Sequence, residues 1–206
     1  RKVLATALSL SCLLSIGCSD KDSSTDENLE WFSVHAHEKV LRNKDYADKS
    51  DKVLDIALCK NEYEGTQLIL NAKEDIKSYD IEISELVSDN AIFNSDNVKI
   101  YNEKYMKLLH KKGSNPVSEK GDEIADAILP FDVAKEYHEN YVEEGQNQGV
   151  YIEVNTDEST LPGTYTGTVT ITADGQKYYA PLRVTVYDIV LPLQSKAQNF
   201  WNNVFY

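Results

Sequence analysis

The sequence has little sulfur, little positive charge and no long apolar run. Three cysteines and one methionine stand among 206 residues, which excludes the disulfide-dense frameworks on which small secreted domains rely. Lys and Arg number 21 against 34 Asp and Glu, for a formal net charge of −13. A nucleic-acid binder gains most of its affinity by neutralising phosphates, so nucleic acid is not an expected partner. The most apolar stretch, Val3 to Ile16, is shorter than the ~18 residues that a membrane-spanning helix requires. GxSxG, HExxH, Walker and EF-hand patterns are all missing, so serine-hydrolase, zinc-protease, phosphoryl-transfer and calcium-loop readings have no footing and no cofactor is expected.

What is present suffices for one β-rich domain. Hydrophobic residues make up 41% and aromatics 10%, enough to build a core and too many for wholesale disorder. The chain lacks a leading Met and ends at Tyr206 without a polar tail, and it reads as a fragment of a longer protein.

The first residues read as an address. Arg1-Lys2 followed by the apolar run to Ile16 has the charged and hydrophobic regions of a secretory signal. Leu14-Ser15-Ile16-Gly17-Cys18 resembles the bacterial lipobox, with Ser15 departing from the usual Leu or Val. The resemblance implies a signal peptide at 1–17 and lipid attachment at Cys18, hence an exported lipoprotein anchored at the outer membrane or cell surface of a bacterium. Residues 18–30, rich in Ser and Asp, have almost nothing to bury and are expected to form a flexible acidic tether. Cys59 is then the remaining thiol and is expected to be a small buried hydrophobe.

From Trp31 onward apolar residues recur with period two, the mark of strands with one buried face. Leu54, Ile56 and Leu58 form one such row, and Leu68 with Leu70, Ile81 with Ile83, Val98 with Ile100, and Val150 with Ile152 and Val154 form others. Tyr165, Val169 and Ile171 share a face opposite a row of threonines, Asp174-Gly175 supplies a tight hairpin turn, and Leu182, Val184 and Val186 return along the core face. Pro181 lacks an N–H, so it belongs at an edge, a strand start or a bulge. Eight or nine such strands predict an all-β fold, an antiparallel sandwich of the Ig or fibronectin kind over residues 31–192. Lys107 to Gln148 breaks the alternation and is expected to be a long loop excursion, with a short helix around Val133 to Val142.

Several segments carry a family resemblance. Asn61-Glu62-Tyr63-Glu64-Gly65-Thr66-Gln67-Leu68, Asn147-Gln148-Gly149-Val150-Tyr151-Ile152-Glu153-Val154, and Leu161-Pro162-Gly163-Thr164-Tyr165-Thr166-Gly167 running on to Val186-Tyr187-Asp188-Ile189-Val190-Leu191-Pro192 occur in that order. Asp126-Ala127-Ile128-Leu129-Pro130 lies between them. Together they resemble the N-terminal β-sandwich domain of glycoside hydrolase family 123 and of related bacterial lipoproteins. The resemblance implies a following (β/α)8-type barrel that acts on β-linked N-acetylgalactosamine through an Asp-Glu pair. Residues 193–206 would then be the linker and the start of that barrel, leaving this fragment non-catalytic.

Within the fragment, the candidate chemistry has plainer readings. Asp122-Glu123 resembles the acid pair of a substrate-assisted hydrolase, yet it lies in the excursion and is read as a solvated loop. Glu62 and Glu64 flank Tyr63 and are read as rim acids of a turn entering a strand, with Tyr63 packed. His35, His37 and Glu38 lack further ligands at metal spacing, so no metal is expected. Tyr151 and Tyr187 stand opposite the aliphatic rows of their strands and are the candidates for stacking on a sugar ring. Asp126, Ile128, Leu129 and Pro130 are candidates for contact with the chain's own C-terminal catalytic domain. A carbohydrate-binding module and a purely structural Ig-like lipoprotein domain are the alternatives to the accessory-domain reading.

Overall fold

The alternation resolves into nine strands in a computed structural model that describes residues 28–46, 51–109 and 121–193. The signal peptide, Cys18, most of the tether and residues 194–206 lie outside the described residues. The strands are β1 (Leu29–His35), β2 (Leu54–Lys60), β3 (Tyr63–Ala72), β4 (Tyr79–Ile83), β5 (Val98–Lys107), β6 (Glu123–Pro130), β7 (Asn147–Asn155), β8 (Gly163–Ala173) and β9 (Gln176–Val190). A short α-helix, α1 (Phe131–Glu136), follows β6. One sheet has five strands in the order β1-β3-β7-β5-β6 and the other has four in the order β2-β9-β8-β4.

The rows read from the sequence meet between the two sheets. Leu68 and Leu70, Val150, Ile152 and Val154, Leu54, Ile56 and Leu58, and Tyr165, Val169, Ile171, Leu182, Val184 and Val186 all belong to one buried cluster. Burying each such side chain contributes roughly 1.5–3 kcal/mol, so this interior drives the fold. A polar seam crosses it: the Tyr79 hydroxyl donates to Asn102 Oδ1, which also accepts from Gln148 Nε2 at 3.1 Å. Thus even the buried polar side chains find partners there.

The hairpin between β8 and β9 turns at Asp174 (φ 45°) and Gly175 (φ 88°), the two positive dihedrals of a type I′ turn. The Asp174 carboxylate accepts the N–H groups of Lys77 and Ser78, both at 3.0 Å, and so ties the turn to the start of β4. Pro181 pairs with Thr168 in the β8–β9 ladder. The Thr168 N–H and C=O both point away from β9, toward Ser84, so in this pair the proline nitrogen also points outward, toward the β2 side. There β2 begins its pairing one residue later, at Leu54 opposite Leu182. The missing donor therefore faces a stretch of edge.

Four expectations require correction. The sandwich is not wholly antiparallel, because β2 runs parallel to β9; alternation fixes which face is buried and says nothing about direction. The tether ends earlier than residue 30, since Leu29 is buried and β1 starts there, pairing with Ala72. The helix occupies Phe131–Glu136 rather than reaching Val142. Part of the loop excursion is strand: β6 pairs with β5, and Phe131 is buried in the core cluster. Its alternation was hidden by a bulge. Lys104 pairs with Ala127 and Tyr105 with Ala125, leaving Asp126 as the extra residue, and one extra residue reverses the in-out phase on either side of it.

Candidate functional site

The outer face of the five-stranded sheet follows from the inner one. With Val150, Ile152 and Val154 in the core, period two sends Gly149, Tyr151 and Glu153 outward. Tyr151 stands opposite Tyr101 on β5 and Gln67 on β3, and Glu103 stands opposite Ile128 on β6. Two glycines make this surface possible. A β-carbon at Gly149 would lie 2.0 Å from Glu103 Oε2, and one at Gly65 would lie 2.4 Å from both Cζ and Oη of Tyr151. The Glu103 side chain therefore lies down over one glycine and the Tyr151 ring over the other.

Walls rise on either side of this floor. The segment after β1 folds back over the sheet, with Val40 joining Phe32, Val34 and Ile69 in a second small core against which Tyr46 packs. Gln67 pins its beginning by donating to the carbonyls of His35 at 2.8 Å and Glu38 at 2.9 Å. The opposite wall is the bulged edge of β6. Between them lies a cleft of about 240 Å³, with Gln67, Glu103 and Tyr151 beneath, His37, Lys39 and Val40 on one side, and Ala125 to Ile128 on the other.

Glu103 is only 5% exposed, and its Oε2 has no hydrogen-bond partner among the described residues. Burial pushes its carboxyl up to about 7, because desolvation penalises the charged form. Burial also raises the Tyr151 phenol, followed in effect by the neighbouring Glu153, Glu64 and Glu103 carboxylates. The cleft thus offers an aromatic ring beside a carboxyl that holds its proton to near neutrality.

The residues singled out from sequence are dispersed. Tyr151, Asp126 and Ile128 line this one cleft. Leu129 has the opposite phase, pairing with Asn102, and Pro130 precedes α1 as its N-cap. Tyr187 is 50% exposed on the outer face of the four-stranded sheet. With the core between the sheets, Tyr151 and Tyr187 lie on opposite outer faces and do not form a common platform. Glu103 was missed, because in Tyr101-Asn102-Glu103-Lys104-Tyr105 it reads as a solvated strand acid. Its counterpart is Gly149 on β7, a relation that only the order of the strands reveals.

Two of the other acids make structural contacts. Glu62 accepts the Cys59 N–H at 2.6 Å, and Thr156 Oγ1 donates to the Cys59 carbonyl at 2.6 Å, locking the turn between β2 and β3. Tyr63 is 68% exposed and not packed as expected. Cys59 is half-buried rather than buried, and burial followed by the Glu62 carboxylate raises its thiol. Glu123 opens β6, 3.8 Å from Arg42. The rings of His35 and His37 stack at 5.7 Å, and no group of three or more potential metal ligands occurs among the described residues.

Comparison with known proteins agrees with this architecture. Residues 35–173 match the family described as the glycoside hydrolase 123 N-terminal domain. A family 123 glycoside hydrolase from Clostridium perfringens, whose structure concerns glycolipid glycan hydrolysis, superposes with a TM-score of 0.62 at 17% identity, covering 81% of this chain and 28% of that one. The chain therefore spans less than a third of that enzyme's length. AvmM, which catalyses macrocyclization in alchivemycin A biosynthesis, gives a TM-score of 0.40 at 7% identity over 83% of this chain and 93% of its own. The CooA pilin subunit of enterotoxigenic Escherichia coli gives 0.31 at 11% over 79% and 99%. No curated protein matches the chain. The match over residues 35–173, on a sandwich that also superposes on the Clostridium enzyme, shows that the chain belongs to the glycoside hydrolase 123 N-terminal domain family.

Proposed function

We propose that this sandwich is the accessory N-terminal domain of a bacterial surface lipoprotein that hydrolyses β-linked N-acetylgalactosaminides, and that it supports a catalytic barrel following it in the full-length protein. The observation that carries the reading is the relation to the Clostridium enzyme, of which a domain like this one forms 28%. The acids inside the sandwich favour it as well: Glu62 is used as a turn lock and Glu123 lies beside Arg42. Export and anchoring follow from the lipobox-like Leu14 to Cys18. Each buried acyl CH₂ contributes about 0.8 kcal/mol, and stable anchoring needs more than one chain, as a diacylglyceryl group provides.

Two experiments test this function. The 206-residue chain is assayed on aryl N-acetyl-β-galactosaminides, where it shows no turnover; turnover abolished by Asp122→Ala or Glu123→Ala would contradict the accessory role. Cys18→Ala in the full-length protein moves it from the membrane to the soluble fraction, and unchanged fractionation would contradict the anchor.

A further inference from the structure

A buried acceptor without a donor is a standing free-energy loss, and folded proteins seldom leave one in place. Glu103 Oε2 is such an acceptor, shut in against Gly149, and the same side chain lines the floor of an open cleft. Around it are the Tyr151 ring, a wall of Ala125, Ala127 and Ile128 that also carries Asp126, and Val40 opposite, flanked by Glu38 and Lys39. Ile128 remains 48% exposed on that wall. Ligand sites combine apolar walls with a few convergent polar groups in this way, and a cleft of about 240 Å³ lies below the ~300 Å³ at which pockets for drug-sized molecules begin. It suits one ring.

We infer that the cleft binds a single saccharide residue, its apolar ring face against Tyr151 and a hydroxyl group hydrogen-bonded to Glu103. A pyranose presents both features, a flat CH face and hydroxyls that donate and accept. A carboxyl that keeps its proton to near neutrality also donates and accepts, matching hydroxyl groups better than an ammonium ion, which only donates. The two glycines then have a purpose beyond packing. Gly149 lets Glu103 lie on the floor of the cleft, and Gly65 makes room for the Tyr151 ring. The cleft stands on geometry alone, whereas the choice of a saccharide rests in part on the hydrolase reading above.

The test titrates the 206-residue chain with N-acetylgalactosamine, galactose and glucose, and with propylammonium as a cationic probe, following backbone amide NMR shifts. At least one sugar shows saturable binding, with shifts at Gly149 and Ile128. Glu103→Met removes the carboxyl at similar length and weakens binding about tenfold, or roughly 1.4 kcal/mol. Tyr151→Leu does the same, whereas Tyr151→Phe, which keeps the ring, binds as the parent does. Amide spectra of the free variants verify that each is folded. Absence of saturable binding by all three sugars, binding indifferent to both Glu103→Met and Tyr151→Leu, or binding of propylammonium alone would overturn the inference. If the full-length protein hydrolyses galactosaminides while these titrations fail, the inference falls and the hydrolase reading stands; sugar binding here without hydrolysis there gives the reverse.

Discussion

A β-carbon on Gly149 would sit 2.0 Å from Oε2 and 2.4 Å from Cδ of Glu103, so these two residues occupy one volume between them. The backbone of Gly149 is ordinary strand, and a side chain there fails by contact rather than by conformation. Gly149→Ala is expected to destabilise the domain by about 1–3 kcal/mol, the usual loss for overpacking. Combining it with Glu103→Ala, which deletes the atoms in conflict, recovers most of that loss. A double-mutant cycle by urea unfolding measures the coupling, expected to exceed ~1 kcal/mol. Additive losses would show that the glycine serves something other than Glu103.

The buried carboxyl gives stability a distinct dependence on pH. Glu103 is raised from 4.5 to about 7 by burial, so the folded chain holds this proton more tightly than the unfolded chain does. Between those two values the folded state binds more protons, and stability falls as pH rises; below the window Glu103 carries no penalty, and above it the penalty is complete, on the order of 3 kcal/mol. Glu103→Gln cannot ionise. Thermal melts should therefore show the variant clearly more stable than the parent at about pH 8 and nearly equal to it at about pH 4. Parallel curves for the two proteins would refute a buried, ionisable Glu103.

Asp174 has two separable duties: it adopts a left-handed dihedral in the β8–β9 turn and accepts two N–H groups from the start of β4. Asp174→Asn keeps the dihedral preference and one acceptor oxygen, whereas Asp174→Ala loses both functions. Hydrogen bonds to a charged group contribute about 1.5–3 kcal/mol each at the upper end, reduced here by exposure. The expected order of stability is Asp, then Asn, then Ala, with faster amide exchange at Lys77 and Ser78 in the alanine variant. Unchanged exchange there would mean that the start of β4 is held without these two bonds.

Most of the sandwich was legible because a buried face repeats every second residue. Leu54 to Leu58, Val150 to Val154 and the hairpin through Asp174-Gly175 lie where that period places them. β3 was legible on one side only: Ile69 is as buried as Leu68 and Leu70, since the segment after β1 covers the second face. β6 was illegible, because the extra residue Asp126 breaks the period halfway along. The candidate cleft was legible only in pieces. Tyr151, Asp126 and Ile128 were marked for different reasons, and nothing in a one-dimensional pattern tells that a glutamate on β5 lies over a glycine on β7. Strand order supplies that fact, and strand order is not written in local alternation.

In the proposed function this domain serves a glycan hydrolase whose chemistry lies outside the sandwich. The most direct measurement is the turnover of an aryl N-acetyl-β-galactosaminide by the full-length protein, run beside its Asp122→Ala and Glu123→Ala variants and beside the 206-residue chain. Turnover is expected from the full-length protein, with kcat retained in both variants, and none from the isolated chain. A full-length protein without activity, or one whose kcat collapses when either acid of the sandwich is removed while the fold persists, would contradict the proposed function.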